Sequence, residues 1–467
     1  MKMILGLAAT STLTILATDA SAATCASLPM LMLCDNSASA PVVSANRGTL
    51  IDVTGGIASN DRGTAAVAVD YDTVTILNKG SIAQTDARNN GYAIAVRGAD
   101  TRIFNADGAT IHGGDRAIEV LAGPGGLTLT NAGTITSRRQ AVRSLEGFQN
   151  ATVINTGTIA AETGRALQLR GNGATVFNYG TLTGGEEVIE GRGDFYLENY
   201  GQIFINNPAI VDEDGVQFAS GRVVNHGLIR GSDDGIDVDE GHIINAAGGR
   251  IISTGPLDLR DAAGIDVDEV FDDGVNPIRP AGDLLIENAG LIEGPRAITT
   301  SLGSTSSITI LNTGKLHGRS GVAVDFAPTQ GDSLIQISGD SRIIGNVLFG
   351  AGDDVFAFGA LGHSALLSGL IDGGAGDNMV DFGTYTLADL TGFVVTGDLI
   401  DTVLNIGGTS LTARFRNFGL WSIGGHTWTA ADLSAQIAPV PLPAGLPLAL
   451  AAFGGLALLR RRQAARI

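Results

Sequence analysis

Residues 234–240 read Asp-Gly-Ile-Asp-Val-Asp-Glu, and Gly-Ile-Asp-Val-Asp-Glu returns at 264–269. At the two-residue period of a strand, Asp237 and Asp239 share one face, as do Asp266 and Asp268, while Ile236, Val238, Ile265 and Val267 take the other. If the two strands stack as neighbours, facing carboxylates stand about 5 Å apart and repel unless a cation or an arginine intervenes. Calcium takes about six to eight hard oxygen ligands, so Asp237, Asp239, Asp266 and Asp268 are candidate Ca2+ ligands. The same residue type can also serve as general acid and base, or form a solvated acidic stripe. Between residues 186 and 276 twenty acidic residues face five arginines, which puts −15 of the chain's net charge of −19 in this stretch. So negative a surface excludes nucleic acid as a partner.

The elements that must position these aspartates follow from an internal repeat. Asn-x-Gly-x-[Ile/Leu] begins at Asn78, Asn131, Asn155, Asn178, Asn199, Asn225, Asn288 and Asn312, with looser copies at Asn105 and Asn245. Successive asparagines lie 20 to 27 residues apart except for one interval of 43, from Asn245 to Asn288, which reads as two periods with one copy lost. Before each asparagine the chain alternates apolar and polar residues, as in Thr-Val-Thr-Ile-Leu-Asn, and a second alternating run such as Arg165-Ala-Leu-Gln-Leu follows it. Asn and Gly suit tight corners because both accept left-handed backbone. One such coil cannot bury its apolar side, so neighbouring coils must supply the rest of the core. With 66 glycines, 5% aromatic residues and 44% hydrophobic residues, the composition fits an all-β chain and excludes both a helical bundle and disorder. The expectation is a right-handed parallel β-helix over 47–380, of roughly fifteen coils, with 381–435 as last coils or a β cap that covers the open core with Trp421 and Trp428.

The Asn-x-Gly-Thr-Ile pattern over about 50–380 is similar to the passenger domains of bacterial autotransporters and related surface β-helix proteins. That resemblance implies architecture and surface display, but its members include adhesins, toxins and hydrolases. The segment Gly231-Ser-Asp-Asp-Gly-Ile-Asp followed by Gly241-His-Ile resembles part of the pattern of polygalacturonase-type β-helix hydrolases. It implies Asp212, Asp233 and Asp234 as acid and base candidates with His242 beside them. The chain departs from that family in lacking its Asn-Thr-Asp motif and its Arg-x-Lys triplet. Gly350-Ala-Gly-Asp-Asp-Val-Phe and Gly373-Gly-Ala-Gly-Asp-Asn-Met-Val resemble the calcium-cradling RTX nonapeptide, which adds Asp353, Asp354 and Asp377 as metal candidates. They lie 23 residues apart and are not tandem copies.

Both ends of the chain speak to export. Lys2, an apolar run from Ile4 to Ala17 and Ala20-Ser21-Ala22 have the parts of a secretory signal peptide, with cleavage expected after Ala22. In an oxidising compartment Cys25 and Cys34, within the N-terminal segment 23–46, can close a small disulfide loop. Residues 436–467 read as a Pro-containing linker and an apolar helix of about twenty residues, long enough to span a bilayer and stopped by Arg460, Arg461 and Arg462. Val440-Pro441-Leu442-Pro443-Ala444 with that helix and its arginines resembles the VPLPA variant of the PEP-CTERM sorting signals. The resemblance implies an exosortase-like processing enzyme, transient anchoring in the inner membrane, and delivery to the cell surface. The function expected is therefore a non-enzymatic surface or matrix protein for adhesion or biofilm association, stabilised by calcium, that meets surface glycans or other cells. The alternative is a polysaccharide-active hydrolase or lyase that uses the acidic face.

Overall fold

The computed structural model describes residues 25–437 except 29, 36–40, 45, 89–90, 122–124, 208, 210–211, 260, 268–281 and 301–303. The chain divides into two compact units at residue 208. It is all-β, and its turns, about 13 in all, are those of a parallel β-solenoid.

In the N-terminal unit each turn contributes three short strands, for instance Thr128–Asn131, Thr134–Ser137 and Val142–Ser144. Each pairs in parallel register with its counterpart one repeat later: Leu129 with Val153 and then Val176, Ile135 with Ile159 and then Leu182, Val142 with Leu167 and then Ile189. These residues are fully buried. The alternation read from the sequence thus becomes three lines of branched aliphatics, each capped above and below by its own kind, a geometry that β-branched residues fill well.

The asparagines carry the corners. Asn78, Asn105, Asn131, Asn155, Asn178 and Asn199 form a ladder in which each Nδ2 donates to the next Oδ1 at 2.7 to 2.9 Å. An amide is both donor and acceptor, so Asn can satisfy itself in a buried stack from turn to turn. The glycine two positions later is equally determined, because a Cβ on Gly157 would lie 2.1 Å from the carbonyl oxygen of Gly133. At its start the unit is covered by an antiparallel hairpin of Ala26–Leu28 and Leu31–Cys34, closed by the Cys25–Cys34 disulfide. Leu31–Cys34 then pairs in parallel with Leu50–Val53, which covers the edge of that strand of the first coil.

The C-terminal unit repeats the ladder from Asn225 through Asn245 and Asn288 to Asn312, where Ser341 Oγ accepts the last amide at 2.5 Å. Here the sequence reading of the 43-residue interval is corrected. Asn245 bonds Asn288 directly at 2.8 Å, and Gly241–Asn245 pairs residue by residue with Leu284–Asn288. The interval is one turn whose extra residues fall between Arg250–Ser253 and Ala263–Val267 and, for the larger part, between Ala263–Val267 and Leu284–Asn288, and no copy was lost.

Beyond residue 381 the parallel pattern gives way to an antiparallel meander of Leu390–Thr396, Leu399–Ile406 and Thr409–Arg416, and to a hairpin of Leu420–Ile423 with His426–Thr429. Trp421 is fully buried among Phe382, Phe393 and Phe415, whereas Trp428 is half-buried near His426. The described helix is Ala430–Ile437, eight residues long. It falls in the region expected to be β cap and the start of the linker, and it is not the apolar helix expected at the C-terminus. Among the described residues no helix is long and apolar enough to cross a membrane. The signal-peptide residues and the sorting segment, Val440 to Ala444 with Arg460 to Arg462, lie outside the described residues.

Candidate functional site

The acidic repeat lies where the second strand of a turn passes into the third. Leu228–Gly231 ends at a tight corner, Ser232 to Gly235, and Ile236–Asn245 begins at once. Glycine is required at 235, since a Cβ there would meet Ile251 Cγ2 at 2.7 Å. One turn earlier Asp214-Gly215-Val216 occupies the same corner, with Val216 in register with Ile236. One turn later Ala263–Val267 follows, with Asp266 directly opposite Asp237. The sequence expectation of facing aspartates is therefore met for this pair. The expectation of a solvated stripe is not, because Asp237 and Asp266 are only 8% and 4% exposed. Asp239 is half-buried, and Asp268 lies outside the described residues.

Among the described residues, the carboxylates whose oxygens all converge within 4.8 Å are Asp214, Asp233 and Asp234. Asp234 is the centre. Its backbone N–H donates to Asp214 Oδ1 at 3.0 Å, and its own Oδ1 accepts the Ala263 N–H at 2.6 Å. Burial pushes the Asp234 carboxyl well above the usual range, and the neighbouring charges of Asp266, Asp214, Asp233 and Asp237 push it further. Burying an uncompensated carboxylate costs several kcal/mol, so Asp234 is held neutral by a proton or is compensated by a cation.

Asp214 was missed by the sequence reading, although Asp-Gly-Val at 214 and Asp-Gly-Ile at 234 carry the same corner. Asp212, proposed in its place, is exposed. His242 does not complete a catalytic set with Asp233 and Asp234. It lies past the bend at Gly241, on the asparagine strand, and its Nε2 is 2.7 Å from Glu287 Oε1. Carboxyl groups of an inverting hydrolase stand roughly 6.5–9.5 Å apart to admit a water. The oxygens of Asp214, Asp233 and Asp234 are closer than that.

No family model, curated protein or solved structure matches this chain. Its chemistry has to be read from its own residues.

The other metal candidates, Asp353, Asp354 and Asp377, occupy corners, where Asp353 and Asp354 cap backbone N–H groups of adjoining turns and Asp377 donates its own N–H. Asp332 Oδ1 accepts Asp353 N–H and Asp353 Oδ1 accepts Asp377 N–H, both at 2.8 Å. Asp354 Oδ1 accepts Ser333 N–H at 2.7 Å, and Asn378 Oδ1 accepts Asp354 N–H at 2.9 Å. The Gly-Asp-[Ser/Asp/Asn] pattern at 331, 352 and 376 is thus accounted for by corner hydrogen bonds. Asp354 is fully buried, and desolvation raises its pKa to about 6.

Proposed function

We propose that this protein is an exported, non-enzymatic β-solenoid of the cell surface or extracellular matrix, whose acidic knot takes up calcium and thereby stiffens the turns around it. The solenoid is proposed to be right-handed, the usual hand of a parallel crossover. Export rests on the signal-like N-terminus, and display rests on the VPLPA-like tail. In this reading an exosortase-like enzyme processes the tail at the inner membrane, and the body then serves adhesion or biofilm association. The observation that carries the calcium reading is the convergence of Asp214, Asp233 and Asp234 within 4.8 Å, with Asp234 raised well above the carboxylate range by burial and by like charges. Hard oxygen ligands of this kind suit Ca2+ better than a softer metal.

Titrating Ca2+ into the purified protein while following heat and melting temperature tests the site. Saturable heat and a rise in melting temperature below millimolar Ca2+ are expected, both lost in Asp214→Asn; no response up to millimolar would remove calcium from the function. Release of reducing sugar from a uronate-rich glycan, abolished by Asp234→Ala, would overturn the non-enzymatic reading.

A further inference from the structure

The outer surface of the second strands in the N-terminal unit carries a groove of about 450 Å³, within the usual range of ligand sites. It runs across successive turns, since its lining residues His112, Thr136 and Ala160 are register partners in sequence. Its floor is low because small residues line it, among them Gly114 and Ala160. Asn206 closes one end by donating Nδ2 to the Ala161 carbonyl at 2.7 Å. The polar groups offer both signs of hydrogen bond. His112 Nδ1 is 2.9 Å from Thr136 Oγ1, Glu162 presents an exposed carboxylate, and Arg138 reaches into the lining while its Nη2 contacts the fully buried Asp115 Oδ1 at 3.1 Å. The Arg138 charge is thus answered by Asp115, and the carboxylate of Glu162 is the acidic charge of the lining.

A second feature lies at the start of the strand Thr181–Gly184, whose far end adjoins this groove. Tyr179 and Tyr200 occupy the variable position of consecutive Asn-x-Gly corners, and their rings stack with centroids 5.2 Å apart and planes 7° from parallel. Both stand about half exposed, at 51% and 47%. The preceding corners carry Thr156 and Ala132, too short to cover the other face of Tyr179. Three of the chain's six tyrosines fall here. Tyr196 and Tyr200 donate their hydroxyls to Glu198 at 3.1 and 2.8 Å. The four residues of strand Thr181–Gly184 lead from the Tyr179 corner toward the groove, about 13 Å.

An open aromatic face in line with a shallow groove of mixed donors and acceptors matches a ligand whose rings have an apolar C–H face and a rim of hydroxyls. We propose that this face of the N-terminal unit binds an uncharged oligosaccharide, with one sugar ring against Tyr179 and the following sugars hydrogen-bonded by Arg138 and Glu162. Polyanionic glycans are disfavoured by Glu162 and Glu198. The site is separate from the acidic knot and requires no calcium.

Affinity electrophoresis of the full chain in native gels containing dextran, laminarin, galactomannan or polygalacturonate, each with and without EDTA, tests the proposal. Retardation by at least one neutral polymer is expected, unchanged by EDTA, and weakened about five- to tenfold by Tyr179→Ala and by Glu162→Gln at unaltered melting temperature. The proposal is overturned by retardation with polygalacturonate alone, by none with the three neutral polymers, or by wild-type binding in Tyr179→Ala. Its failure leaves the calcium reading standing, because that reading is judged by the melting temperature in Ca2+.

Discussion

In the N-terminal unit the outward row of the third strands reads Ala95, Glu119, Arg143, Gln168 and Glu190 in successive turns; in the C-terminal unit it reads Gln217, Asp237, Asp266, Thr299 and Asp325. Both rows occupy the same backbone position, and both are largely buried. The first row interleaves its acids with arginine. Glu119 lies 3.2 Å from Arg143 Nη1 and 3.5 Å from Arg116 Nε, and Glu190 meets Arg165 Nε at 3.0 Å, Arg170 Nε at 3.1 Å and Gln168 Nε2 at 2.6 Å. The second row sets carboxylate against carboxylate from Asp237 to Asp266, next to Asp234, and a guanidinium enters at Asp325, from Arg296 at 2.9 Å. A single solenoid position therefore tolerates buried charge in two ways. One is pairing with arginine inside the self-contained row, and the other sets carboxylates side by side next to an Asp234 whose pKa is raised.

Breaking the self-contained row should have the largest effect. Arg165 binds Glu186 at 2.7 Å through Nη1, Glu190 through Nε, and Glu187 through Nη2. Removing one partner of a buried pair costs about 3–5 kcal/mol, because the surviving charge stays buried. Arg165→Met should therefore lower the stability of these turns by about 3 kcal/mol, as read by urea unfolding and by hydrogen exchange at 167–190. A loss under about 1 kcal/mol would mean that Arg170 and Gln168 hold the row alone.

Pairing with arginine does not by itself keep an acid charged. At Glu119 burial outweighs the two guanidinium groups, and the pKa rises from 4.5 to about 7. A carboxyl whose folded pKa is raised binds its proton more tightly when folded, so its contribution is greatest at acid pH and falls as pH rises from 4.5 to about 7. The full fall corresponds to about 3 kcal/mol. Glu119→Gln should remove most of that slope from unfolding free energies measured between pH 4.5 and 7.5, an effect just below that of Arg165→Met. An unchanged slope would place the proton elsewhere in the network.

The repeat made the stacking visible in the sequence, because the asparagine ladder and the alternating aliphatics are each set by neighbours one period away. It did not reveal that the outward residues of the third strand are buried. Alternation marks Asp237 and Asp266 as outward, but outward from a solenoid core is not the same as exposed. Asp214 was missed for a related reason: its role follows from the Asp-Gly corner it shares with Asp234, whereas the neighbouring Asp212 merely lies close in sequence. The 43-residue interval misled because its length is nearly twice the period, while pairing of Asn245 with Asn288 depends only on the coil's closure.

The smallest effect distinguishes the two rows most sharply, because it has opposite signs under two conditions. In Asp266→Asn the side chain keeps its shape, loses its charge and gains an N–H beside Asp237. Relief of like-charge contact between paired strands is worth about 1 kcal/mol at most. Without calcium at pH 8 the variant should therefore melt slightly above wild type. With falling pH the difference should shrink, because the raised pKa of Asp234 already lets protons relieve the knot in wild type. With saturating Ca2+ the order should reverse, since the cation gains less from the altered knot than from the full set of carboxylates. If calcium leaves Asp266→Asn above wild type, Asp266 contributes only repulsion, and the buried row of this unit is balanced by protons.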